Sequence, residues 1–179
     1  DTKLNLSSYY LRPGFAFGGS CLPKDLKAIV HRADQTRVRV PLIRSVLASN
    51  HDHIHHAFEM IKKSGVHRVG LLGLSFKGGT DDLRESPLIY LVEKLLHDHY
   101  DVRIYDRYIS LARDLESTKS YIDRELSHLS GLMCDSADEL LDRCPLVVIG
   151  NNTLEHQQMI ANLNHGHHVI DLVDIMEKD

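Results

Sequence analysis

Tryptophan is absent from this chain of 179 residues, aromatic side chains make up only 6% of it, and cysteine occurs three times. Three is an odd count, and Cys21, Cys134 and Cys144 lack metal-ligand spacing, so neither a disulfide framework nor a zinc knuckle is expected. Unpaired thiols point to a reducing compartment, the cytoplasm. Positive charge is not in excess: 21 Lys and Arg stand against 25 Asp and Glu, a formal net charge of −4. A nucleic-acid partner would call for a basic face or stripe. Any anionic ligand must then be met by a few placed cations. No apolar run approaches the roughly 18 residues of a membrane span, and no signal-peptide pattern is present. The chain opens at Asp1-Thr2-Lys3 without methionine, as a fragment or a processed chain would.

What is present is an ordinary globular composition, 42% hydrophobic and 26% charged. The length suits one domain or one domain with an appendage. Residues 13–20 hold three glycines and a proline, a loop with unusual backbone angles. Pro23 stands where a helix can begin, ahead of Lys24 to Gln35, and Pro41 opens a second helix to about Ser64. Leu42, Val46, Ile54, Phe58 and Ile61 keep helical spacing along it, and Gly65 is placed to end it. Strands are predicted at Val69–Gly73, Val102–Asp106, Pro145–Ile149 and His168–Leu172, with a weaker one near Leu132-Met133. Helices are predicted from Ser86-Pro87 to about Leu96, around Ala137–Leu141 and over Leu154–Leu163. Strands alternating with helices predict an α/β fold, a Rossmann-like doubly wound parallel sheet. The long helix before it belongs to a separate helical segment. The division falls near residue 66, giving 1–66 and 67–179.

Chemistry concentrates in Gly18-Gly19-Ser20-Cys21-Leu22-Pro23-Lys24-Asp25. Cys21 lies just before a helix start, where unpaired N–H groups and the helix dipole favour negative charge. The Lys24 ammonium, three residues on, can face the same pocket. Both features favour a reactive thiolate, and a thiolate so placed suits covalent catalysis on a carbonyl. The glycines let backbone approach a ligand closely. The plain alternative is an inert cysteine in a tight turn; for Cys134 and Cys144, buried packing is the expected role. Asp81-Asp82 reads as an acidic pair at a helix N-terminus rather than a metal site. His51 and His55 share a helix face at metal-pair spacing without a third ligand, so a solvated face is expected there, and likewise around His165 to His168.

Phe17 to Asp25 closely resembles the active-site motif of the UDP-glucose/GDP-mannose dehydrogenase family. Gly73-Leu74-Ser75-Phe76-Lys77-Gly78-Gly79-Thr80-Asp81-Asp82-Leu83-Arg84-Glu85-Ser86-Pro87 is similar to that family's C-terminal signature. Order and separation also fit. Tyr9 to Phe17, with Ala16 where the UDP-glucose branch usually has a further glycine, resembles the GDP-mannose branch. The resemblance implies oxidation of the C6 alcohol of a nucleotide sugar to a carboxylate by two NAD in succession, through a Cys21 thiohemiacetal and then a thioester. Asp25 would assist at the thiol. Lys24 and Arg84 would contact NAD. Tyr9, Tyr10, Arg12, Phe15, Gly18 and Lys77 would meet the nucleotide sugar, Arg12 by a bidentate fork to phosphate and Lys77 as a point charge. Tyr9 and Arg12 would serve a site shared across a homodimer built on the long helix. Without the family, Lys77 and Arg84 read as solvated charges, and Tyr9 and Tyr10 as packing residues. Gly70 and Gly73 do not form a G-x-G-x-x-G fingerprint. The resemblance places NAD mainly on an N-terminal domain outside these residues, so the chain alone is expected not to turn over substrate. A UDP-sugar dehydrogenase and a non-catalytic nucleotide-binding or dimerisation module remain the alternatives.

Overall fold

The computed structural model describes residues 14–113, 128–161, 163 and 166–175. Helix α1 (Leu22–Thr36) carries Pro23 at its start, where a missing N–H costs nothing, and Arg37 closes it in the left-handed region with φ 57°. Its narrow buried stripe, Pro23, Leu26 and Ala33, lies against α2 (Pro41–Lys63). Arg44 and Asp34 form an ion pair across this helical hairpin. Helix α2 is divided along its length. Its buried residues, Ile54, Ala57, Phe58 and Ile61, all belong to the second half, while Leu42 near the start is 75% exposed. Ser64 and Gly65 end it, Gly65 at φ +69°.

Strands β1 (Arg68–Leu72), β2 (Asp101–Tyr105), β3 (Leu146–Ile149) and β4 (His168–Asp171) pair in parallel in the order β2-β1-β3-β4. Between them run α3 (Pro87–His97), α4 (Arg107–Arg113), α5 (Ala137–Arg143) and α6 (Leu154–Ala161). Alternation sorts the strand side chains onto two faces. Val69, Leu71, Val102, Ile104, Leu146 and Val148 join α2 and α3 in the main core. Leu72, Tyr105 and Val147 face the other way, with Cys134 and Leu140 of the α5 side. Both faces are covered, so the sheet is doubly wound, as expected. Gly70 admits α5 closely: a Cβ there would collide with the Leu140 side chain.

Two expectations need correction, and one helix went unpredicted. No strand forms at Leu132-Met133: Ser130–Leu132 is a 3-10 turn, and Met133 makes one parallel bridge to Ile104. An apolar pair of that length can be packed against the core by a turn as well as by a strand. Helix α4 was not anticipated, because seven residues are too few for a periodic stripe to show. Asp81-Asp82 does not cap a helix, since α3 begins only at Pro87. Ser86 is its cap instead: Ser86 Oγ accepts from Leu88 N–H at 3.3 Å and donates to the Leu74 carbonyl at 2.7 Å.

Candidate active site

Two loops build the site. The first runs from Phe15, which packs against the main core, to Cys21. Asn50 of α2 grips it at Phe17: Oδ1 accepts from Phe17 N–H at 2.7 Å and Nδ2 donates to the Phe17 carbonyl at 3.0 Å. Gly18 then passes so close to the second loop that a Cβ would stand 2.5 Å from the Glu85 carbonyl and 2.9 Å from Pro87 Cδ. Gly19 adopts φ +89° over the Phe76 ring, and its N–H donates to the Arg84 carbonyl at 2.9 Å. Only glycine tolerates both conditions in succession. Cys21 follows as the N-cap of α1, exposed, its carbonyl accepting from Asp25 N–H and its Sγ 3.6 Å from Ser20 Oγ.

The second loop, residues 73–86, leaves the C-terminal end of β1. Asp106, 2% exposed at the end of β2, holds its first turn. Oδ2 accepts from Leu74 N–H at 2.8 Å and Ser75 N–H at 3.2 Å; Oδ1 accepts from Tyr108 N–H at 3.0 Å and Ile109 N–H at 3.3 Å, capping α4. Ser75 and Thr80 hydroxyls both donate to the Lys77 carbonyl, shaping the turn that presents the exposed Lys77 side chain. Further on, Asp82 takes two hydrogen bonds from the Arg84 guanidinium, at 2.8 and 2.7 Å, which hold its carboxyl below the usual range. Glu85 sits in the left-handed region, φ 50°, rare for a residue with a Cβ. Lys27 donates to both its oxygens, at 2.7 and 2.8 Å, lowering its pKa, and Tyr90 Oη donates at 3.0 Å. Burial, then the Glu85 contact, raises the Tyr90 phenol.

The structure thus brings Gly18, Cys21 and Arg84 into one assembly through the Gly18 and Gly19 contacts. Lys24, expected at the cofactor, lies 3.2 Å from the carboxylate of Asp25, expected at the thiol. Tyr9, Tyr10 and Arg12 lie outside the described residues. A cleft of about 290 Å³ opens between the helices, lined by Phe17, Pro23, Lys27, Asn50, Glu85 and Tyr90. Asn50, Lys27, Glu85 and Asp106 were missed from sequence. An asparagine in mid-helix, a poor helix former, was the one available signal.

Burial raises both remaining thiols, Cys144 to about 11, as fits inert packing residues. His51 and His55 are exposed, whereas His167 is half-buried and its Nε2 bonds the Leu141 carbonyl at 3.0 Å, against the solvated role expected for it.

The loop after β1 is not arranged as a dinucleotide-binding loop. In dinucleotide folds the acid ending the second strand binds ribose, and backbone N–H groups after the first strand receive pyrophosphate. Here the acid, Asp106, is spent on those very N–H groups.

Residues 70–178 match the UDP binding domain of the UDP-glucose/GDP-mannose dehydrogenase family, and residues 1–52 match its central domain. The chain belongs to this family. It is 45% identical to the GDP-mannose 6-dehydrogenase of Pseudomonas putida over 99% of its length, covering 41% of that protein. The Azotobacter vinelandii GDP-mannose 6-dehydrogenase is 44% identical over 98% of the chain, which covers 40% of that protein. The Pseudomonas aeruginosa UDP-glucose 6-dehydrogenase is 37% identical over 56% of the chain and 23% of its own length. Among solved structures, a ternary complex of Pseudomonas aeruginosa GDP-mannose dehydrogenase superposes with a TM-score of 0.91 at 44% identity, over 99% of this chain and 41% of that one. The UDP-glucose dehydrogenase of Pyrobaculum islandicum gives 0.74 at 25% identity, over 90% of this chain and 35% of that one. The chain therefore spans about two fifths of the length of these GDP-mannose relatives.

The fold leaves no room for a side chain at Gly18. Gly18→Ala is expected to destabilise the chain by about 1–3 kcal/mol, because its Cβ meets backbone at Glu85. Urea denaturation reads this; a loss below about 0.5 kcal/mol would mean that the two loops separate easily.

Proposed function

We propose that this chain is the nucleophile-bearing and nucleotide-sugar-binding part of an NAD-dependent nucleotide-sugar 6-dehydrogenase whose substrate is GDP-mannose. The observation carrying it is the packing of the Cys21 loop onto the 73–86 loop, through Gly18 against Glu85 and Gly19 N–H to Arg84. GDP-mannose is favoured over a UDP-sugar by 45% identity over 99% of the chain, against 37% over 56%. The chain divides near residue 66, the helical part bearing the nucleophile and the α/β part the sugar nucleotide.

When bound, NAD supplies the acceptor for one hydride in each of two oxidations. The remaining chemistry is the chain's own. The Cys21 thiolate adds to the C6 aldehyde, forming an S–C bond; once that carbon has lost hydride, a thioester stands on Cys21. Water then attacks the thioester carbonyl, the C–S bond breaks, and the carboxylate leaves with the thiol restored. Asp25 assists at the sulfur, its carboxylate steered by Lys24. Lys77 and Arg12 neutralise the diphosphate, with Tyr9, Tyr10, Phe15 and Gly18 lining the sugar nucleotide. Lys24 and Arg84 contact NAD at its edge. The bulk of the dinucleotide site lies on residues outside this chain, in keeping with the engagement of Asp106 by the loop after β1. The location is cytoplasmic, which suits an exposed Cys21 among three unpaired cysteines. No helix among the described residues is long and apolar enough to cross a membrane.

The active form is a homodimer with a shared site, Tyr9 and Arg12 reaching across. The exposed Leu42 near the start of α2 supports this, and light scattering at one chain mass would sink it. Thermal melts with GDP-mannose or UDP-glucose at matched concentration test the base. A ligand bound only to the native state adds RT ln(1 + [L]/Kd), so at a hundredfold excess over Kd about 2.7 kcal/mol is expected from GDP-mannose. A shift with UDP-glucose alone would overturn the choice.

A further inference from the structure

Asn50 takes no part in the chemistry just described, yet its carboxamide is committed to a single residue. By accepting from Phe17 N–H and donating to the Phe17 carbonyl, it offers what a neighbouring strand would offer. One planar group makes both bonds, so the Phe17 peptide is restrained in rotation as well as in position. The helix behind it is anchored: Ile54, 6% exposed and one turn further on, starts the buried stripe of α2 that enters the main core. Only Gly18, Gly19 and Ser20 then separate Phe17 from Cys21. Two glycines in succession leave that span little stiffness of its own. Its other backbone tether, Gly19 N–H to the Arg84 carbonyl, comes from a loop rather than from a core helix.

We infer that Asn50 is a positioning residue for the nucleophile, fixing the origin of the Cys21 loop so that the Gly19 bond forms and the first turn of α1 holds Cys21 in place. The consequence for catalysis rests on Cys21 being the nucleophile. The geometric claim does not, and it can be tested without turnover.

The test uses the full chain with Asn50→Ala and the near-isosteric Asn50→Asp, which keeps an acceptor for Phe17 N–H and loses the donor. Residue-resolved hydrogen exchange and iodoacetamide labelling are read together. In Asn50→Ala, the Phe17 and Gly19 amides are expected to exchange at least tenfold faster, and the labelling rate of the exposed Cys21 to change at least threefold as the first turn of α1 opens. Asn50→Asp should fall between it and the wild type. In both, buried Cys134 and Cys144 should stay unlabelled and the β1 and β3 amides keep their rates. Gly19 and Cys21 within twofold of wild type, with only Phe17 accelerated, would overturn the inference by showing a purely local tether. Cys134 and Cys144 labelling in step with Cys21 in both variants would also overturn it, by making Asn50 a general structural residue. An intact clamp beside a chemically dispensable Cys21 would instead remove the dehydrogenase reading and leave the positioning role standing.

Discussion

Asp106→Ala is expected to lower the stability of the chain by about 4 kcal/mol, the largest stability loss predicted for it. The carboxylate is 2% exposed and accepts from the backbone N–H groups of Leu74, Ser75, Tyr108 and Ile109. A buried donor left without a partner costs roughly 1–3 kcal/mol, and bonds to a charged acceptor lie at the upper end. Entry of water and relaxation of α4 would recover part of the sum, hence about 4 rather than a simple total. Asp106→Asn keeps the shape but turns an NH₂ toward one pair of donors, so about half the loss is expected. Urea denaturation measures both. A loss below about 1 kcal/mol for the alanine variant would mean that this carboxylate does not hold the turn after β1. On the proposed function, in which Lys77 of that same loop meets the nucleotide sugar, weaker binding of that ligand should accompany the loss.

Cys21→Ser should show the reverse pattern, a large chemical effect with almost no structural one. The Cys21 side chain is exposed, and its sulfur lies 3.6 Å from Ser20 Oγ, a contact too weak to matter for folding. Unfolding midpoints should therefore match the wild type. On the proposed function, formation of the sugar carboxylate by an enzyme carrying this chain is expected to fall by at least about a thousandfold. A serine hydroxyl is hardly ionised near neutral pH and is a much weaker nucleophile than a thiolate without a dedicated base beside it. Activity within tenfold of wild type would remove Cys21 from the mechanism. Gly18→Ala lies between these two cases, since it disturbs the packing under the loop and leaves the thiol in place.

Much of the fold was legible because its signals are local. Pro23, Pro41 and Pro87 mark helix starts, and the apolar segments Val69–Leu72 and Leu146–Ile149 mark strands buried on both faces. Where the signal was short it misled, as at Leu132-Met133, or went unseen, as at α4. The two site motifs were legible too, since each is a continuous stretch of residues.

The amino-acid sequence by itself determined the alternation of strands and helices, the position of Cys21 at a helix start, and the family to which both motifs belong. The first two follow because periodicity, proline and glycine act over a few residues, and the family follows from the likeness of two continuous motifs. Only the tertiary structure decided how the motifs meet. Asn50 grips Phe17 from 33 residues away, Lys27 reaches Glu85 across 58, and Asp106 holds Leu74 across 32. Glu85 adopts its left-handed backbone amid the Lys27 and Tyr90 contacts and the close passage of Gly18. Such pairings depend on which surfaces the folded core brings together, and no local pattern in the chain encodes them.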